Sequence, residues 1–160
     1  MGLDSYILAK RYVKYWGFDD SPKQDQNAQL AKAVNGVYPT PPGFELRELS
    51  YQVAYWRKAN AIHQWFVANV QGGVDECQET WIAPEALKEL RDMCADLLVD
   101  RDETKARLLL PTAEGFFFGS TEYDEDYWAD VSDALDQLDR ILAVSESNPG
   151  EFDFYYQASW

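Results

Sequence analysis

Both ends of the chain read as β-strands, while most of what lies between reads as helix. Residues 3–15, LDSYILAKRYVKY, alternate in part and carry β-branched and aromatic side chains, which predicts a strand over 4–13. Residues 152–158, FDFYYQA, predict a last strand by the same signal. A lone two-stranded hairpin is marginal in water, whereas a sheet of three or more strands backed by helices is stable. The two ends are therefore expected to pair in one small antiparallel sheet, with Trp160 helping to tie down a terminus that would otherwise fray. The expected class is α+β, with three main amphipathic helices packed on that sheet.

The first of these helices is predicted over 51–70. Ser50 stands as its N-cap, Val53, Trp56, Asn60, His63, Val67 and Val70 recur at spacings of three and four, and Gln71-Gly72-Gly73 ends it. Pro84 suits the first position of a second helix, whose stripe is Leu87, Leu90, Cys94 and Leu97. The third is predicted over 122–144, with Thr121 and Asp124 as a capping box and Val131, Leu135, Leu138 and Leu142 as the stripe. Residues 17–29 read as a polar loop overlapping a short helix near 26–34, and NGVYPTPPG at 35–43 is turn chemistry. TWI at 80–82 reads as a short strand. LLLP at 108–111 and GFFFG at 115–119 read as short strands or packed loops. With no repeat, low-complexity tract or linker, residues 1–160 form one expected domain, of a size that buries roughly 70% of its unfolded surface.

Charge is the largest departure from an average protein. The formal net charge is −14, divided as +2 over residues 1–71, −5 over 72–101 and −11 over 102–160. Such polarity implies an acidic face that repels nucleic acid and anionic lipid and attracts basic partners. Cys77 and Cys94 suit a reduced cytoplasmic chain better than a disulfide framework. No stretch approaches the ~20 apolar residues of a membrane span, and MGLDSY lacks the regions of a signal peptide.

Several chemistries lack their residues. There is no GxxxxGK[ST] loop, and the prolines of GVYPTPPG remove the amide donors that a phosphate loop needs. The only histidine, His63, excludes a His-pair zinc site, and the two cysteines, seventeen positions apart, form no CxxC. DEDYWAD at 124–130 lacks the glycine and spacing of a calcium loop. The expectation is a non-enzymatic protein with no metal and no cofactor.

The stretch AYWRKANAIHQWF at 54–66 mixes core-type aromatics with surface-type polar residues. One reading is a polar bracket, in which Asn60 and His63 bond to backbone or tyrosine hydroxyls. The other is a ligand pocket, with Trp56 and Trp65 as flat walls and Arg57, Asn60 and His63 as convergent polar groups.

MGLDSY, SYQVAYWRKANAIHQWFV at 50–67, GFFFGSTEYDEDYW at 115–128 and the closing FYYQASW together resemble a family of small proteins encoded by bacteriophages and other mobile elements. The resemblance departs in residues 17–45 and transfers no catalytic residue. It implies a phage-type setting in the host cytoplasm, where small acidic proteins often inhibit host defence systems such as CRISPR nucleases. Two routes follow. In the favoured one, the acidic face of helix 122–144, with Asp126, Asp130 and Asp133 in a row and Glu122, Asp124 and Asp136 nearby, imitates a phosphate backbone. It would dock on a basic, nucleic-acid-handling protein without binding nucleic acid itself. In the other, the Trp56–Arg57–Asn60–His63 cluster captures a nucleotide signal. An interaction domain with no inhibitory role is the third reading.

Overall fold

The computed structural model describes residues 2–14, 22–115 and 117–160. Its two ends meet as expected. Strand β1 (Asp4–Tyr12) lies antiparallel to the C-terminal strand, from Asp4 opposite Ser159 to Lys10 opposite Asp153. In chain order the described elements are β1, α1 (Pro22–Val37), β2 (Glu48–Arg57), α2 (Asn60–Asn69), β3 (Thr80–Ile82), α3 (Pro84–Asp100), α4 (Glu103–Leu109), α5 (Glu125–Ser147) and β4 (Asp153–Ser159). The sheet order is β2-β1-β4-β3, antiparallel throughout. The α+β class therefore holds, with five described helices where three main ones were expected.

Alternation decides which sheet face is dry. Ser5, Ile7 and Ala9 of β1 and Phe154, Tyr156 and Ala158 of β4 are buried, and the residues between them are not. On that face α2 seats Phe66 flat on Tyr156, with ring centroids 4.1 Å apart and planes 10° from parallel. Helices α3 and α5 close the core with Leu87, Leu90 and Leu97 against Val131, Ala134 and Leu138. Cys94 is buried among them, and burial pushes its thiol up to about 12.

The expected helix 51–70 is two elements. Residues up to Arg57 are strand β2, so Ser50 lies in the sheet opposite Lys10 and caps nothing. The error has a physical source. A bulge at Val53 shifts the β1–β2 register, and the extra residue, Val53, packs against the core three positions before buried Trp56. That spacing imitates a helix and joins the true α2 stripe without a break. Lys58 then turns the chain in the left-handed region, φ 63°, before α2 begins.

Other boundaries also move. The expected loop over 17–29 lies outside the described residues as far as 21, and from Pro22 it is α1, which runs well beyond 26–34 and takes in Asn35-Gly36-Val37. LLLP does not begin a strand, because Leu108 and Leu109 end α4, a helix of one buried residue that is too short to show a stripe. Helix α5 starts at Glu125, not 122. Its N-cap is Asp124, whose Oδ1 accepts from the backbone N–H groups of Asp126 and Tyr127 at 3.1 and 3.2 Å, so Thr121 has no capping role. Among the described residues, no helix is long and apolar enough to cross a membrane.

Candidate functional site

The β2–α2 junction and the first turns of α5 form the walls of one cleft of about 400 Å³. Arg57 and Lys58 form one rim because the strand ends there and Lys58 turns. The Lys58 N–H donates to the Leu3 carbonyl at 2.7 Å, which ties that turn to β1. The floor is a loop that Asn60 holds. Its Nδ2 donates to the Phe118 and Ser120 carbonyls at 3.0 and 2.8 Å, and its Oδ1 accepts from the Ala113 N–H at 3.0 Å. Gly119 makes this approach possible: its φ is +93°, and an added Cβ would stand 3.2 Å from Lys58 Cβ.

The far wall is acidic. Glu122, Asp124, Asp126 and Asp130 all line it. Partial burial lifts the Asp130 carboxyl to about 6, with repulsion from Asp126, Asp133 and Asp124 adding to the rise. Asp133 lies one turn further along and accepts from Gln137 Nε2 at 2.6 Å, while Asp136 is exposed. Among the described residues, none of these six carboxylates has an ion-pair partner. Arg101 and Arg91 pair with Glu125 and Asp139 instead. No group of three or more His, Cys, Asp or Glu among the described residues could hold a metal ion.

The four residues of the expected aromatic–Arg–His pocket do not come together. Trp56 and Arg57 are neighbours on a strand, so they face opposite sides. Trp56 is buried near Phe66, and Arg57 is exposed at the cleft. His63 is buried, with Nδ1 2.7 Å from the Tyr156 hydroxyl and Nε2 3.0 Å from Asp75 Oδ2. Burial raises the pKa of the Tyr156 phenol. A carboxylate oxygen only accepts, so Nε2 donates to Asp75, whose other oxygen accepts from Trp160 Nε1 at 3.2 Å. This is the polar bracket, and Asn60 belongs to it as well as to the cleft.

Sequence reasoning missed Lys58, Thr112 and Ser120 in the cleft lining. None lies on a periodic stripe, and only the fold brings them together. It also missed Gln137, which pairs with the outer edge of β2: the Tyr55 N–H donates to Gln137 Oε1 at 2.9 Å, and Gln137 Nε2 donates to the Tyr55 carbonyl at 3.0 Å. No family model matches the chain, and no curated protein or solved structure does.

Proposed function

We propose that this protein is a non-enzymatic, phage-type inhibitor that binds a basic, nucleic-acid-handling protein of a host defence system through the acidic face of α5. The observation that carries the reading is the crowding of Asp126, Asp130 and Asp133 on one helix face with no ion-pair partner among the described residues. Like charges held together at the edge of a partly buried cleft cost folding energy, and a lysine- or arginine-rich surface relieves that cost on binding. A row of carboxylates also repeats charge along an axis as a phosphate backbone does. Capture of a nucleotide is less favoured, because Trp56 and His63 are in the core and the wall facing Arg57 and Lys58 is anionic.

The test is reversal of Asp126, Asp130 and Asp133 to lysine. The core residues Val131, Ala134 and Leu138 are untouched, so the circular dichroism and the cooperative melt should survive. Inhibition in a plaque or nuclease-protection assay should be lost, and in the wild type it should weaken steeply with added salt. Full activity in the triple variant refutes the proposal. So does activity that follows Arg57 and Lys58 instead of the carboxylates.

A further inference from the structure

A second surface lies at the other end of α5. The face that carries Asp126, Asp130 and Asp133 continues at spacings of four and three through Gln137, Arg140 and Val144. It runs beside β2, an edge strand of the sheet. At Tyr55 the Gln137 amide imitates a neighbouring strand by bonding both backbone groups. Below the bulge at Val53, residues Glu48–Gln52 pair regularly with β1 on one side, and among the described residues nothing bonds their other side. Four of these five are exposed.

Next to that edge the helix and the sheet part to leave a cleft of about 420 Å³, which runs inward beneath β2 as far as Ala9 of β1 and Phe154 of β4. Tyr51, Val53, Ile141, Val144 and Phe152 give it an apolar lining, and Tyr51 meets Phe152 edge-on with centroids 6.2 Å apart. Arg140 stands on its rim. It is the only cation of α5, it is exposed, and it has no ion-pair partner among the described residues.

From this placement we infer that the groove between β2 and α5 receives an extended peptide, which adds as a fifth strand along Glu48–Gln52. Main-chain hydrogen bonds to the open edge supply affinity, and the apolar cleft takes alternate side chains. Arg140 selects the partner's charge, so a carboxylate near the bound strand is preferred. The opposite sign of charge separates this groove from the acidic cleft, so the two surfaces suit different partners.

The probe is the peptide Thr-Val-Thr-Val-Thr-Glu, blocked at both ends, whose glutamate shares a strand face with the valines. It is titrated into isotopically labelled full-length protein, with amide exchange followed by nuclear magnetic resonance. Binding should slow exchange in the stretch Leu49–Gln52. Glutamine in place of the peptide's glutamate, or Arg140→Glu in the protein, should each weaken binding about tenfold. Val144→Asp, at a half-exposed position that tolerates charge, should abolish it. Strand donors alternate sides, so N-methylation of either the odd or the even peptide residues should remove binding while the other set leaves it intact. The inference is overturned if the edge amides gain no protection, or if both N-methylated peptides bind like the parent. It is also overturned if protection without peptide rises with protein concentration, because a second copy then occupies the edge.

Discussion

Replacing Asp130 with asparagine should make this protein more stable at neutral pH. The folded state raises the carboxyl from an ordinary 3.8 to about 6, through burial first and the charges of Asp126, Asp133 and Asp124 second. A raised carboxyl pKa means that the folded chain holds the proton more tightly than the unfolded one. The resulting penalty is absent below pH 3.8, grows as pH rises through that window, and is complete above about 6. At about 1.4 kcal/mol per tenfold change in proton affinity, the upper bound is about 3 kcal/mol. Asp130 is only partly buried, so solvent screening reduces this to about 1 kcal/mol. Asparagine keeps the shape and removes the charge. Urea unfolding at pH 7.5 should therefore show Asp130→Asn more stable by about 1 kcal/mol, with roughly half of that gain remaining at pH 5. Salt should leave most of the gain, because burial outranks repulsion among its causes. The same variant should bind a basic partner more weakly, as expected for a residue kept for function against stability. A variant no more stable than wild type at pH 7.5, or a gain that ignores pH, refutes the reasoning.

Three further outcomes are expected. Asn60→Asp loses both donors to the Phe118 and Ser120 carbonyls, and should lower stability by about 2 kcal/mol or more in a chemical melt. His63→Ala strands the Tyr156 hydroxyl and should cost about 1–3 kcal/mol, seen as a lower melting temperature with no change in any ligand response. A thiol reagent should label the half-buried Cys77 in the native protein and reach Cys94 only after urea is added, because Cys94 is buried with its thiol held protonated.

Much of the fold follows from periodicity that needs no neighbours to be read. The alternation in β1 and β4, the Leu87–Leu97 stripe behind Pro84 and the Val131–Leu138 stripe of α5 each record one wet side and one dry side. Burial imposes that record on the sequence directly. The pairing of the two ends was legible too, since two strand-type termini had few other partners. What failed was a segment whose period the tertiary structure itself altered. The bulge at Val53 exists only because β1 lies alongside, and it turns Val53 against the core three positions before Trp56, a helix-like spacing. The acidic row along α5 was visible as spacing, but its electrostatics were not. The rise at Asp130 depends on burial in a cleft whose opposite rim, Arg57 and Lys58, lies some seventy positions earlier in the chain. The fates of Trp56, His63 and Gln137 are of the same kind. Whether such a side chain forms a pocket wall, a core bracket or a cap on a strand edge depends on what the fold places opposite it, and no local pattern carries that information.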